Sequence, residues 1–358
     1  MSQDNQNVKS GDRGNKFYDL PFKIERFKDM PFRFLGSSGL KVPNIGLGTW
    51  KIGYPERGDG SRVGEKEAFK LFDQAIESGV NFWDTANRYN NASGNSERVI
   101  GNWLAGNPDQ RRNVLLATKL GGTMDGITPN HCGLSRANIL DSVYASLERL
   151  RTSYIDVLYF HLFDPLIPPE ESLAAIEDLV RRDLVRYFAV SNFTVAQLKI
   201  YQQIQKDRTL RSRIVAVQNQ FDILNGERAP YDGVLDYAGR EGISFISWRP
   251  LAKGLLTGRY ADSKNIGSGD RLFDEGELKA GSAIPHISKL QQLMALSKEW
   301  GMNLNQLVIS YMLTLQGMGP IIASSSSVAQ LISNAEAGKI NLSEDQKKQI
   351  GKIITQLS

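Results

Sequence analysis

From Phe32 onward, short apolar runs alternate with longer stretches in which apolar residues recur every three or four positions. The short runs are Ile45–Thr49, Val80–Trp83, Val114–Thr118, Ile155–Phe160, Tyr187–Val190, Ile214–Val217, Ile243–Ser247 and Gly319–Ala323. Runs this short predict strands. Between them Ala68, Leu71, Phe72 and Ala75 share one helical face, as do Ile139, Val143, Leu147 and Leu150. Leu173, Ile176 and Val180, and Leu304, Leu307, Val308 and Tyr311, repeat the pattern. Two shorter segments, Phe32–Leu35 and Leu40–Val42, flank Gly36-Ser37-Ser38-Gly39 and predict a hairpin. Strands that alternate with helices run parallel and are joined by crossovers. Eight such units predict an α/β fold closed as a (β/α)8 TIM barrel. A doubly wound dinucleotide sheet is disfavoured, because Gly46-Leu47-Gly48-Thr49-Trp50-Lys51 lacks the third glycine of its fingerprint. A last helix, Ser343 to Ile354, opens on a capping-box-like Ser343-x-x-Gln346.

No linker interrupts residues 32–358, which are expected to form a single barrel domain. Residues 1–31 are mostly polar, carry no signal-peptide core and are expected to be a loosely ordered extension. The Gly-, Ser- and Asp-rich stretch from Ala261 to Ile284 is the least patterned, and a long loop inside a compact domain suggests a functional lid. The composition, 41% hydrophobic and 23% charged over 358 residues, is that of a globular chain. A formal net charge of +4 gives no electrostatic case for nucleic acid. The pairs Arg111-Arg112 and Arg181-Arg182 are expected on solvated helix faces. The only cysteine is Cys132, so an intrachain disulfide is excluded and a reducing, cytoplasmic setting is expected. No apolar run approaches the ~20 residues of a membrane helix. Three dispersed histidines, His131, His161 and His286, have no metal-ligand spacing, and no metal is expected.

Polar residues collect where the strands end. Asp84, Lys119, His161, Ser191-Asn192, Gln218-Asn219 and Trp248 follow six successive runs. In a barrel the carboxyl ends of the strands meet at one mouth, so these residues converge. Each has a bland alternative: a helix cap for Asp84, a surface position for Lys119, a structural histidine for His161, a loop tyrosine for Tyr89, and core for Trp248. Together, Asp, Lys, Tyr and His suit proton transfer to a carbonyl oxygen. A lysine ammonium about 4 Å from a phenol is expected to lower its pKa by up to ~3 units. Asp84 would partly offset that field but would hold Lys119 charged and aimed, and a neutral His161 would orient the carbonyl. None of these groups supplies hydride, which implies a nicotinamide cofactor.

The residues Asp84-Thr85-Ala86-x-x-Tyr89, Ser96-Glu97, Ile100-Gly101, Thr118-Lys119 and Tyr159-x-His161 resemble the aldo-keto reductase signature over nearly the whole chain. The wording is nearest the branch that holds potassium-channel β subunits and their bacterial relatives. The resemblance implies a barrel closed at its bottom by the hairpin, an extra C-terminal helix, and a catalytic tetrad of Asp84, Tyr89, Lys119 and His161. It also implies that Ser191, Asn192 and Gln218 hold the nicotinamide carboxamide and that Trp248 stacks on the ring. The segment from Leu251 through Gly254 to Tyr260 would wrap the pyrophosphate. Arg271 would reach the adenosine phosphate, and Ser326, Gln330 and Asn334 the adenosine. Gly48, Thr49, Trp50, Arg249, Pro250, Lys253 and Ser324 complete the expected cofactor surface. The implied activity is NADPH-dependent reduction of small carbonyl compounds, with NADH also usable, and with no nucleic-acid or membrane partner. The alternative is a cofactor-sensing binding module like the channel subunits. Those subunits carry asparagine where this chain has His161, which favours an enzyme. Whether the chain is monomeric or homo-oligomeric stays open. Three departures stand out: Asn90-Asn91-Ala92-Ser93 in place of a glycine after Tyr89, Arg249 where a small residue is usual, and Ser324 heading the run Ser324–Ser327.

Overall fold

The apolar runs form eight parallel strands: β4 (Ile45–Gly48), β5 (Phe82–Asp84), β6 (Leu115–Leu120), β7 (Ile155–Phe160), β8 (Val185–Ser191), β9 (Ile214–Gln220), β10 (Ser244–Trp248) and β11 (Met318–Ser324). In this computed structural model, which describes residues 25–124, 128–260, 266–279 and 283–355, each strand pairs with the next. β11 closes the barrel onto β4, with Ile321 opposite Ile45 and Ser324 opposite Gly48. The chain is therefore a (β/α)8 barrel, as its alternating pattern predicts.

Side chains alternate across a strand, and that period places the site. Phe82, Ala117, Tyr159, Ala189, Ala216, Ile246 and Ile322 belong to the cluster that fills the barrel interior. Two residues beyond each, on the same face, come Asp84, Lys119, His161, Ser191, Gln218, Trp248 and Ser324. The core spacing that fills the barrel thus aims a polar or aromatic residue into its mouth from seven successive strands. The intervening residues face the helical layer: Trp83 stacks on Phe72 at 4.6 Å and meets Trp103 edge-on at 5.0 Å.

The bottom is closed by β2 (Met30–Phe34) and β3 (Lys41–Pro43), paired with Arg33 opposite Val42. Leu35 and Val42 join the interior cluster. Arg33 donates to the carbonyl of Met318 at 2.7 Å, at the amino end of β11. Gly36 has φ +58°, and a Cβ there would lie 2.2 Å from the Val215 carbonyl oxygen, so only glycine fits this turn.

Two sequence expectations need correction. Residues 25–31 are not loose: β1 (Arg26–Phe27) pairs with β2, and Met30 is fully buried. Residues 1–24 of the expected extension lie outside the described residues. Arg111 is not on a solvated face either. It donates to Thr152, to the carbonyls of Val114 and Tyr154, and to Asp156 at 2.9 Å. The 3-10 turn Pro108–Arg112 just before β6 turns it inward, where buried carbonyls need a donor. Arg181 and Arg182 are exposed, as expected.

The signature pairs also have structural work. Ser96 meets Thr49 at 2.7 Å and Thr85 at 2.9 Å, while Glu97 accepts from Arg149 at 2.7 Å and from Thr118 at 2.6 Å. Gly101 lets the helix Asn95–Gly106 approach the helix Arg136–Leu150 so closely that a Cβ would lie 2.1 Å from the Arg149 carbonyl oxygen. The final helix is Glu344–Ile354, and Ser343 and Gln346 form the full capping box. No helix among the described residues is long and apolar enough to cross a membrane.

Candidate active site

At the carboxyl ends of the strands lies a cavity of about 990 Å³. Lys119, 1% exposed, is buried behind the lining residues Asp84 and Tyr89. Its ammonium donates to Asp84 Oδ1 at 2.5 Å, to the Thr85 carbonyl at 2.9 Å and to Tyr89 Oη at 2.8 Å. Gln218 Nε2 holds the other carboxylate oxygen of Asp84 at 2.8 Å. Asp84 is therefore the end of β5 and the anchor of this network, not a helix cap. The ring of Tyr89 meets that of His161 edge-on at 6.0 Å.

The charge states follow from burial. The Tyr89 phenol is held well above its ordinary pKa by burial and by the Asp84 carboxylate. This runs opposite to the expectation that Lys119 would depress it: burial is the largest cause, and the Asp84 carboxylate adds to it. Tyr89 is thus a protonated phenol bonded to a cation. Burial pulls Lys119 below its ordinary value, with Asp84 and then Glu97 opposing. His161 is pushed down to about 3 by burial and by the positive charges of Lys119 and Arg88. It is neutral across physiological pH. Its Nδ1 is sealed and without a partner, which leaves Nε2 as the ring atom open to the cavity.

Every expected catalytic and cofactor residue except Lys119, which lies behind Tyr89, lines this one cavity; Asn219, also expected at the mouth, is instead fully buried and donates to the Phe193 carbonyl at 2.9 Å. Ser191 Oγ donates to the Gln218 carbonyl at 2.7 Å, and Asn192 Nδ2 to the His161 carbonyl at 2.8 Å. Gln218 itself is engaged by Asp84, a partnership the sequence did not suggest. Trp248 is half-buried at the mouth, and its sealed indole N–H has no partner. It is part of the cavity wall and not of the core. Gly48, Thr49 and Trp50 form one rim, and Pro250, Leu251, Lys253 and Gly254 another. Ser324 ends β11, and Ser326 and Asn334 meet Gln330 and Ser325 at 3.0 and 3.2 Å around the start of the helix Val328–Ala337.

The departures from the family wording have positions too. Asn90, Asn91 and Ala92 take left-handed φ values of 59°, 57° and 58° in succession. Asparagine tolerates that region and alanine does not, so the turn stores strain beside Tyr89. Asn90 Nδ2 ties it to the Ile52 carbonyl at 2.5 Å. Arg249, at φ 62°, lies over Trp248 at 5.0 Å and Trp50 at 5.7 Å. Arg271 lies over Trp50 at 4.8 Å and pairs with Glu275 at 2.8 Å, leaving Nη2 sealed and unpartnered. It opens the short helix Arg271–Asp274 in the expected lid. Residues 261–265 and 280–282 of that stretch are outside the described residues.

Sequence reasoning missed several wall residues. Lys51, Arg62, Arg88 and Arg259 join Arg249, Lys253 and Arg271 in the lining, where Asp84 is the single acidic residue among the described residues. Arg62, Lys253, Arg259 and Arg271 are partly balanced by Asp274, Glu275 and Asp270 beside the wall, and Lys51, Arg88 and Arg249 leave the cavity a positive excess. Such a cavity fits a polyanionic ligand of dinucleotide size. The unpartnered Arg271 Nη2 and Trp248 N–H, both sealed, support that fit. The missed wall residues lie three to fourteen positions past strand ends, in loops whose sequence has no periodicity to mark them.

A barrel whose mouth unites a buried Asp–Lys–Tyr network, a neutral histidine and a cationic dinucleotide-sized cavity is an oxidoreductase framework. Residues 44–355 match the model of the aldo/keto reductase family, and the chain belongs to that family. It is 33% identical to Aldo-keto reductase AFTS1 of Alternaria alternata, covering 88% of this chain and 90% of that one. It is 31% identical to Aldo-keto reductase AMT2 of the same fungus, over 89% and 90%. The protein named "Putative voltage-gated potassium channel subunit beta" in Schizosaccharomyces pombe is 30% identical, over 87% and 88%. These likenesses agree with the branch the signature suggests. The chain is an oxidoreductase acting on small carbonyl compounds, in a family that uses nicotinamide cofactors.

Proposed function

We propose that the protein reduces aldehydes or ketones to alcohols with NADPH, and that Tyr89 gives the proton to the carbonyl oxygen. The observation that carries this reading is the Lys119 ammonium 2.8 Å from Tyr89 Oη, facing the cavity beside a neutral His161. A bound nicotinamide dinucleotide supplies hydride. His161 Nε2 and Tyr89 Oη then converge on the substrate oxygen, where developing negative charge meets two preorganised donors. Lys119 compensates the phenolate left after proton donation, and Asp84 and Gln218 keep Lys119 aimed. Trp248, Ser191 and Asn192 would hold the nicotinamide. Arg249, Lys253 and Arg271 would face the phosphates, with Ser326, Gln330 and Asn334 toward the adenosine. The free half-buried Cys132 suits a reducing, cytoplasmic setting. A panel of aldehydes and sugars, assayed in parallel with NADPH and NADH, tests the reading. No reduction with either cofactor would overturn it in favour of a cofactor-sensing module.

Two cofactor predictions follow from this geometry. Trp248→Ala is expected to weaken cofactor binding tenfold or more, since stacking of flat rings is worth about 1–3 kcal/mol. Fluorescence titration measures it; unchanged affinity in a folded variant would remove the stacking role. Arg271→Ala is expected to weaken NADPH by about 10- to 100-fold and NADH by a few-fold, because a charge-assisted bond to phosphate is worth about 1.5–3 kcal/mol. Equal losses for the two cofactors would mean that Arg271, through Trp50 and Glu275, only orders the lid.

A further inference from the structure

Resting on the proposed reduction, we infer that the substrate carries a carboxylate and that Arg88 is the residue that selects it. Arg88 is one residue before Tyr89 and lines the catalytic cavity with Tyr89 and His161. Its side chain is exposed and makes no hydrogen bond or ion pair with any described residue; its carbonyl accepts from the Ala92 N–H at 3.0 Å. The neighbouring cations are engaged. Arg62 pairs with Asp274 at 3.1 Å, Lys253 with Glu275 at 3.2 Å, and Arg259 with Asp270. Lys51 donates to the Gly60 carbonyl at 3.1 Å and lies over Trp50. Arg249 lies over Trp248 and Trp50. Among the described residues, the Arg88 guanidinium contacts neither an acid nor an aromatic ring.

Its position is nevertheless defined. The side chain lies against Gly122, where a Cβ would stand 2.4 Å from Arg88 Cδ and 2.8 Å from Nη1. A side chain at 122 would displace it. The glycine therefore gives the guanidinium a bed at the mouth, on the loop that follows β6. The group is near enough to His161 for its charge to be felt by the ring. A planar guanidinium held beside the reaction centre, with its donors unused, suits the two oxygens of a carboxylate. Among the described residues of the lining the one acid, Asp84, is already bonded to Lys119 and Gln218. The substrate this arrangement takes is a carbonyl compound with a carboxylate a few bonds from the reacting carbon.

The probes are 4-carboxybenzaldehyde and its methyl ester, which differ in charge and little in shape. In wild type the acid is expected to exceed the ester in kcat/KM by tenfold or more. Arg88→Met is expected to bring that ratio toward one by raising KM for the acid, and Arg88→Lys to restore part of it. Calorimetry with the product, 4-(hydroxymethyl)benzoate, reads binding without turnover: wild type should bind it at least tenfold more tightly than does Arg88→Met. A ratio near one in wild type, or a ratio and product affinity indifferent to Arg88→Met, would overturn the inference while leaving carbonyl reduction intact. If neither aldehyde turns over, the reading as a reductase of such compounds fails separately, and product binding still decides the role of Arg88.

Discussion

Tyr89→Phe is expected to lower turnover at least 100-fold while leaving NADPH affinity within about threefold of wild type. The substitution removes one oxygen and keeps the ring. The edge-on contact with His161 at 6.0 Å survives, and Lys119 keeps its bonds to Asp84 and to the Thr85 carbonyl. What is lost is the sole hydroxyl that Lys119 faces at 2.8 Å. His161 cannot take over, because burial and two neighbouring cations hold it neutral down to about pH 3. A neutral imidazole donates a hydrogen bond but is a poor acid at neutral pH. Single-turnover rates with NADPH pre-bound, together with a fluorescence titration of the cofactor, separate chemistry from binding. Retention of more than about a tenth of wild-type turnover would assign the proton to another donor, and a parallel loss of NADPH affinity would make Tyr89 a binding residue instead.

The barrel was legible because its information is periodic. Each strand run carries an interior residue followed two positions later by a mouth residue, so reading the strands also read Asp84, Lys119, His161, Ser191, Gln218 and Trp248. Boundaries moved by a few residues where helix ends reach into the runs: Val80 donates to the Ala75 carbonyl, so β5 starts only at Phe82. Tyr89 is on no strand and was placed by its motif alone. What was not legible depends on solvent and on loops. The direction of the Tyr89 pKa is decided by burial, which the distance from a lysine does not reveal. Arg111 and Arg88 are both arginines beside loop turns, yet one is sealed among carbonyls and the other stands in the mouth. The difference lies in which tertiary neighbours meet them, and no local pattern encodes that. Gln218 likewise bonds Asp84 from a strand 134 residues away in sequence.

Lys119→Met is expected to destabilise the fold by about 3–5 kcal/mol in addition to abolishing activity, because it strands a buried carboxylate. Asp84 is 2% exposed and Lys119 1%. After the change Asp84 keeps Gln218 Nε2 at 2.8 Å and a long contact with Tyr89 at 3.4 Å, neither of them a full charge. Asp84→Asn alone is expected to cost less, since burial already draws Lys119 toward its neutral form and the Thr85 carbonyl and Tyr89 remain as partners. The double variant, Asp84→Asn with Lys119→Met, removes both charges together. It should be more stable than the sum of the two losses allows, by about 1–3 kcal/mol, the coupling found for residues in direct contact. Urea unfolding measures this through shifts of the midpoint at constant slope. Strict additivity would mean that Asp84 and Lys119 do not hold each other in solution. In that case Lys119 would have no fixed aim, and the 2.8 Å approach to Tyr89 on which the proton-transfer reading rests would need another support.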